Sequence, residues 1–172
     1  MEHHNLYTRP VLELVTVATE YCRQLEACGS TPRARFIEVM RPLLAMLYLK
    51  ASMLPTQEPA DGFNPGRVTE ADYDYIRTQV ADIMTDADAY LDVFVEDFKY
   101  SDTPVLCTVS EYLADVYQAL RDFVEIVKDG HEEAVSAALG EVKDGFETGW
   151  GIKILSVIRA LHDTQFARND DF

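Results

Sequence analysis

Apolar residues recur at alternating spacings of three and four in five segments of this chain, and this periodicity limits the possible folds more than any other feature. Such spacing places side chains on one face of an α-helix, whereas a half-buried strand alternates at every second residue. The longest run ends before Gly130, a typical helix stop. Its apolar positions are Leu106, Val109, Leu113, Val116, Leu120, Phe123 and Val127. We therefore predict a fourth helix here, within a mainly helical protein.

Turn signals separate the remaining helical segments. The first helix is predicted over residues 10–28 and the second over residues 33–54, with a kink or break at Pro42 because proline removes a helix hydrogen bond. Residues 55–67 contain three prolines and two glycines and are predicted to form a loop. Thr69 and Asp72 resemble a capping box that opens a third helix.

The segment Leu91–Tyr100 is ambiguous, because its apolar residues fit a helix and also a strand. Helix or irregular structure is favoured, since a lone strand has nothing to pair with. Residues 135–150 form a predicted fifth helix, and Ile152–Phe166 a sixth that continues from it or restarts at Gly149-Trp150-Gly151. Six helices in 172 residues predict an all-α, single-domain antiparallel bundle, with residues 1–8 and 167–172 flexible.

The formal net charge is −15, and it is unevenly distributed. Residues 1–57 carry net +1, residues 58–102 net −9 and residues 103–172 net −7. Nucleic acids and anionic membranes attract basic surfaces, so both are disfavoured as partners. A basic protein partner, or solubility alone, fits this charge better.

Three cysteines without a Cys-x-x-Cys pair fit neither disulfides nor structural zinc, and they fit a reducing compartment. Cys22 lies on the apolar stripe of its helix and is expected to be a small core side chain. The N-terminal region lacks the features of a signal peptide, and the longest apolar stretch, Pro42–Leu49, is too short for a bilayer span. We expect a cytoplasmic protein.

Acidic pairs suggest metal sites, but helix geometry argues against them. Asp122, Glu125, Glu141 and Asp144 resemble the magnesium carboxylates of helical nucleotide pyrophosphohydrolases, which must point inward. Here all four are predicted to point away from the apolar seams. Asp86, Asp88 and Asp92 begin like a calcium loop that lacks its later ligands; in a helix, Asp88, Asp92 and Glu96 would form an outward ridge. We predict no metal, no cofactor and no catalytic residue.

The last helix has a second apolar side. Ile152 and Leu155 lie away from its main seam, beside Arg159. A helix with two apolar sides is either central or forms a second interface. We expect Arg159 to be partly buried and paired with a carboxylate, for which Asp92, Asp97 and Asp102 are the candidates. The alternative is an anion or partner site that Arg159 shares with His162.

Three groups of residues resemble an uncharacterised bacterial family that is known only as a domain of unknown function. They are Leu47–Ser52, Tyr90–Asp97 with Lys99–Asp102, and Trp150-Gly151 with Arg159–His162. The resemblance implies a bacterial, intracellular, helical protein and no activity. It also indicates a candidate patch formed by Tyr48, Lys50, Asp92, Asp97, Lys99, Asp102, Trp150, Arg159 and His162.

These observations favour a non-catalytic binding or regulatory domain that contacts another protein, or a second copy of itself. The alternative is an enzyme with a divalent-metal or anion site near Asp92–Asp102. Inward carboxylates within reach of one another would favour the enzyme, and an apolar outer patch would favour the binding domain.

Overall fold

The structure is a computed structural model that describes residues 5–57, 62–94 and 99–167. Most of these residues are helical, and two short strands form an antiparallel sheet. The helices are α1 (Arg9–Glu26), α2 (Arg33–Ser52), α3 (Glu70–Met84), α4 (Val109–Asp129), α5 (Glu132–Gly145) and α6 (Gly151–Phe166); the strands are β1 (Ala89–Asp92) and β2 (Val105–Thr108). None of the helices in the described ranges is long and apolar enough to span a membrane.

Helix α4 lies at the centre of the bundle and packs against α1, α3, α5 and α6. Leu113, Val116 and Leu120 are fully buried along its predicted seam. The buried hydroxyl of Tyr21 on α1 donates to the Leu113 carbonyl over 2.7 Å, which satisfies both polar groups inside the core. The predicted fourth helix is therefore present, and it organises the core.

Helices α2 and α6 pack against each other in antiparallel orientation. Arg41 donates to Gln165 near the end of α6 over 2.9 Å, whereas Tyr48 contacts Phe146 ahead of the start of α6. The predicted break at Pro42 is wrong, because α2 runs without interruption from Arg33 to Ser52. Burial of Met40, Leu44 and Leu47 on both sides of the proline favours continuation of the helix despite one lost hydrogen bond.

The expectation of a purely helical chain is wrong, because β1 and β2 form an antiparallel hairpin. The predicted preference for helix or irregular structure from Leu91 onward fails at Leu91 and Asp92, and Leu106 belongs to β2 rather than to the fourth helix. Strand β1, for which no partner was predicted, pairs with β2. The helical periodicity had assigned Leu106 of β2 to the fourth helix. Helix α4 begins at Val109 instead.

The two predicted C-terminal helices are one continuous helical run. Phe146–Trp150 form a π-helical turn between α5 and α6, and the Gly151 N–H donates to the Phe146 carbonyl to close it. A side chain at Gly151 would bring a Cβ atom 2.5 Å from that carbonyl oxygen, so only glycine fits. Within the described residues the bundle therefore consists of five long helical segments, and the last of them contains a wide π-helical turn rather than a loop.

The local stop and start signals are confirmed at two positions. Thr69 accepts from the Asp72 N–H while Asp72 accepts from the Thr69 N–H, which completes the capping box of α3. Gly130 adopts φ 74° at the C-terminus of α4, a conformation that favours glycine.

Candidate functional site

The hairpin packs one face against α4 and α6 and turns the other face outward. In its register Tyr90 lies opposite Cys107, and Leu91 lies opposite Leu106. Because side chains alternate across a strand, Tyr90, Asp92 and Cys107 share the inner face. Cys107 and Asp92 are buried, whereas Leu91 and Leu106 are exposed on the outer face. The hairpin thus carries polar groups inward and apolar groups outward.

Asp92 is the centre of a buried hydrogen-bond network. Ser156 on α6 donates to Asp92 Oδ2 over 2.5 Å, and the Tyr90 hydroxyl lies 2.6 Å from Ser156 Oγ. Since the only hydroxyl hydrogen of Ser156 is directed at the carboxylate, Tyr90 donates to Ser156. The Val93 N–H donates to Asp92 Oδ1 over 2.7 Å. Both carboxylate oxygens therefore have partners inside the chain.

Arg159 joins this network from the solvent side. Its Nη2 lies 3.2 Å from Asp92 Oδ1 and donates to the Leu91 carbonyl over 3.3 Å. Asp92 was thus correctly named among the candidate partners of Arg159. The two side chains differ in burial: that of Arg159 is 56% exposed, while that of Asp92 is 9% exposed. The carboxylate, not the guanidinium, is the buried member of the pair.

A second polar group lies beside the first, between α3, α4 and α6. Asp115 accepts from the Tyr73 hydroxyl over 2.7 Å and from Lys153 Nζ over 2.5 Å. Lys153 also lies 5.4 Å from the ring centroid of Tyr112, and the Tyr112 hydroxyl contacts Cys107 Sγ at 3.3 Å. These contacts tie the inner face of the hairpin to α4 and α6.

Burial decides the protonation of the tyrosines at this site. Desolvation raises the pKa of Tyr90 to about 12 and raises that of Tyr112 well above its usual value, in the second case with help from its hydrogen bond to Cys107. Both hydroxyls therefore stay protonated at neutral pH and do not act as bases. Ser156 is buried, and its carboxylate neighbour is fully engaged. This arrangement suits fixing the hairpin to the bundle better than activating a nucleophile.

The other members of the predicted patch do not converge on Asp92. Tyr48 packs edge-on against Phe146, with ring centroids 5.0 Å apart, and Trp150 packs against the same phenyl ring at 4.9 Å. Trp150 is buried, and its indole N–H donates to the Val142 carbonyl over 3.2 Å. These aromatic residues form part of the packing around the π-helical turn.

The charged members of the patch lie apart from one another. Lys50 pairs with Glu13 on α1 at 2.9 Å, and the exposed His162 ring packs against Phe166. Lys99 and Asp102 are exposed, and Asp97 lies outside the described residues. Of the eight patch residues that the structure describes, only Asp92 and Arg159 form a hydrogen bond or ion pair with each other.

Two groups of carboxylates were predicted to face solvent, but in the structure they bind other groups of the protein. Asp122 Oδ1 accepts from the main-chain N–H groups of Arg67 and Val68, at 2.8 and 2.9 Å, and so holds the chain that enters α3. Glu125 is half-buried and pairs with Arg121. The outward ridge expected for Asp88 and Asp92 is also wrong, because both bind groups of the protein. Glu96 lies outside the described residues.

Three other predicted side-chain positions agree with the structure. Glu141 and Asp144 are exposed on α5, and Cys22 is buried in the core.

Within residues 5–57, 62–94 and 99–167, no cluster of three histidine, cysteine or acidic side chains could hold a metal ion.

A cleft of about 440 Å³ lies between the C-terminal end of α1, the N-terminal end of α3 and α4. Arg121 contacts both Glu26 and Glu125 on its wall, and the Tyr117 hydroxyl donates to Glu26 over 2.8 Å. Arg67 on the rim pairs with Asp129. The charges in this cleft thus engage one another.

No motif or spacing in the sequence predicted that Tyr90, Ser156, Tyr112 and Lys153 lie at this site. The one available indication was Ser156, a polar residue next to the apolar seam of α6. Its significance depends on the hairpin, which the periodicity did not predict.

The family model for a domain of unknown function, DUF5063, matches residues 5–167. The chain belongs to this family. A crystal structure of protein BF1032 from Bacteroides fragilis is similar to this chain, with 33% sequence identity, a TM-score of 0.84, and coverage of 97% of this chain and 99% of that one. No curated protein matches. The resemblance expected from the sequence is therefore confirmed.

Proposed function

We propose that this is a non-catalytic domain that binds another protein through the outer side of α6. The observation that carries the proposal is the exposure of Ile152 and Leu155, which are 52% and 44% exposed. Both lie on the second apolar side of α6, away from its buried seam. Contiguous exposed apolar side chains are typical of protein interaction sites, because covering them with a partner removes apolar area from water.

The hairpin extends this apolar surface. Arg159 lies one turn beyond Leu155 on α6 and contacts the Leu91 carbonyl, which brings β1 next to the exposed side of the helix. Leu91 and Leu106 are 59% and 69% exposed on the outer face of the hairpin. We refer to Leu91, Leu106, Ile152 and Leu155 as the hairpin–α6 surface. Its four aliphatic side chains supply the apolar centre of an interface, and Arg159 supplies a polar rim.

The charge of the chain supports a basic partner. With a net charge of −15, the domain attracts cationic surfaces over distances of about 8–10 Å at physiological salt and repels anionic ones. A bacterial cytoplasmic setting is part of this proposal, since three buried free thiols fit a reducing compartment.

An enzyme with a divalent-metal or anion site near Asp92–Asp102 is the competing proposal, and it has less support. The two oxygens of Asp92 already accept from Ser156, Val93 and Arg159. A bound cation would have to displace these donors from a buried carboxylate.

The proposal is tested by affinity capture of the tagged full-length protein from its native cell, with quantitative mass spectrometry. Leu155→Glu places a charge at the centre of the hairpin–α6 surface, and Leu12→Glu is the matched control on α1, where Leu12 is 49% exposed. We expect both variants to melt near the wild-type temperature, because surface substitutions change stability by about 0.5 kcal/mol or less.

Partners should be lost from Leu155→Glu and retained by Leu12→Glu. Retention of the same partners by both variants would show that the outer side of α6 is not the interface. Capture of no protein above the background of an unrelated acidic protein would contradict the proposed function itself.

A further inference from the structure

The hydrogen-bond pattern of the hairpin shows which main-chain groups remain free at its edges. The Val109 N–H donates to the Asp88 carbonyl over 2.9 Å, which makes these two residues a hydrogen-bonded pair. Antiparallel pairs alternate between hydrogen-bonded and non-hydrogen-bonded, so Tyr90–Cys107 and Asp92–Val105 are also hydrogen-bonded. Leu91 and Leu106 then form a non-hydrogen-bonded pair, and their N–H and C=O groups point away from the partner strand.

The two edges of the hairpin differ in whether their outward main-chain groups are hydrogen-bonded. At the β1 edge, the Leu91 carbonyl accepts from Arg159. At the β2 edge, the main chain of Leu106 bonds to nothing within the described part of the chain, and residues 101–106 are all exposed. An exposed strand edge with unpaired N–H and C=O groups is a template for another strand.

We propose that β2 accepts an extended segment of a basic protein partner as a third strand, bound through the N–H and C=O groups of Leu106. This inference rests on the proposed function and specifies how the partner binds. Strand addition gives affinity through main-chain hydrogen bonds and selectivity through alternate side chains. A two-stranded hairpin is marginally stable by itself, so a third strand would also stabilise the hairpin against the bundle.

The surroundings of β2 indicate the chemistry of the segment. Asp102 precedes the strand and Glu111 follows it, and both are exposed. Leu106, between them, is exposed and apolar. A complementary segment therefore carries lysine or arginine near its ends and an apolar side chain opposite Leu106. A second copy of this chain fits poorly, because two molecules of net charge −15 repel each other.

The first experiment selects binders from a phage-displayed library of random dodecapeptides on the immobilised full-length protein. We expect enriched peptides to be basic and to alternate apolar and polar residues. Methylating one main-chain nitrogen at a time should weaken binding at least about tenfold at the position paired with Leu106 and leave binding nearly unchanged at its two neighbours, since every second N–H of an added strand faces β2. Loss at every position, or at none, would overturn the third strand.

The second experiment uses Leu106→Pro, which removes the N–H that faces the added strand and leaves the hairpin ladder intact. Leu106→Ala is its control and keeps the main chain. Circular dichroism and thermal melting check that both fold; if the proline variant does not, the methylation series still decides. We expect Leu106→Pro to abolish peptide binding and Leu106→Ala to weaken it only several-fold. Equal binding by both variants would overturn the proposal.

The outcomes separate this inference from the proposed function. Selected peptides that bind Leu106→Pro as tightly as the wild type but do not bind Leu155→Glu would overturn strand addition. They would leave the outer side of α6 as the interface. Enrichment of acidic peptides, or of none, would overturn the basic third strand, while the capture experiment decides the proposed function independently. A dimer in sedimentation velocity that Leu106→Pro dissociates would make the occupant a second copy and overturn the basic partner.

Discussion

At the scale of single residues, the buried member of an ion pair determines how much free energy of unfolding is lost when the pair is broken. Asp92 has left water almost completely, whereas Arg159 remains half in water. Removing the guanidinium would leave a buried carboxylate with hydrogen bonds from Ser156 and Val93 but no positive charge beside it. Removing the carboxylate as well would leave no buried charge at all, and so the effects of the two changes should not add.

A double-mutant cycle on Arg159 and Asp92 tests this reasoning. Arg159→Met should lower the free energy of unfolding by about 1–3 kcal/mol, the cost of leaving a buried charged group without its partner. Asp92→Asn should lower the free energy of unfolding less in the Arg159→Met variant than it does in the wild type. Urea unfolding at neutral pH measures all four proteins. Additive losses would show that the two side chains do not interact.

Cys22 provides a pH-dependent test of core burial. Burial raises the pKa of its thiol from 9.0 to about 12. The unfolded chain ionises this thiol first, so its contribution to stability is complete below pH 9 and is lost as pH rises towards 12. By about pH 11 ionisation of this thiol should have lowered the free energy of unfolding of the wild type by about 2–3 kcal/mol. Cys22→Ala lacks the thiol and should not show this loss.

The quantity to compare is the difference in unfolding free energy between wild type and Cys22→Ala at pH 7 and near pH 11. Desolvation, the main cause of the raised pKa values of Tyr21 and Tyr73, acts in both proteins and cancels in this difference. The difference should shift in favour of the variant at the higher pH. A constant difference would contradict the burial of the thiol.

At the scale of elements, the junction between β1 and α4 depends on Asp88. Its two carboxylate oxygens accept from the Ser110 N–H over 2.8 Å and from the Ser110 hydroxyl over 2.6 Å, in the first turn of α4. Thr108 is the N-cap residue of α4, and Asp88 satisfies another main-chain N–H of the first turn while it ties the start of β1 to the central helix. Asp86, two residues earlier, is exposed and pairs with Arg33.

Asp88→Ala should therefore destabilise the protein by about 1–2 kcal/mol, as expected when a first-turn N–H of a helix loses its side-chain acceptor. Asp86→Ala is the matched control and should cost less than about 1 kcal/mol, because an exposed ion pair contributes little. Thermal or urea unfolding measures both. Equal losses in the two variants would show that the contacts of Asp88 do not hold the start of α4.

The helices were predictable because their signals are local. A capping box at Thr69, a stop at Gly130 and the apolar spacing between residues 113 and 127 each act within a few turns. The hairpin was not predictable in this way, because Leu91 and Leu106 are fifteen positions apart and each taken alone fits a helical pattern. Pairing between distant segments decided their structure, and periodicity does not report pairing.

The candidate site was predicted in part for the same reason. The need of Arg159 for a carboxylate partner followed from the two apolar sides of α6, which requires only local geometry. The choice of Asp92 among the candidates followed from the family resemblance and from the acidic composition of its segment. The burial of Asp92 did not follow, since a helical segment would have turned this carboxylate outward. Because the segment is a strand, Asp92 shares an inner face with Tyr90 and Cys107, and the network with Ser156 becomes possible.

At the scale of the whole molecule, charge opposes folding more than ion pairs support it. The chain has 30 acidic and 15 basic side chains, so half of its carboxylates remain without a basic partner even if every lysine and arginine is paired. Several of the pairs are short-range and on helix surfaces, such as Arg23–Glu20, Arg35–Glu38 and Lys143–Glu147. Exposed pairs of this kind contribute about 0–1 kcal/mol each.

Added salt should therefore stabilise this protein. Raising sodium chloride from about 0.01 M to about 1 M shortens the screening length from about 30 Å to about 3 Å, which weakens repulsion among the excess carboxylates. We expect the melting temperature to rise by at least about 2–4 °C, the shift that 1 kcal/mol causes in a protein of this size. Near the isoelectric point of 4.5 the rise should disappear, because the repulsion is then absent. A fall in melting temperature with salt at neutral pH would mean that the ion pairs outweigh the net charge.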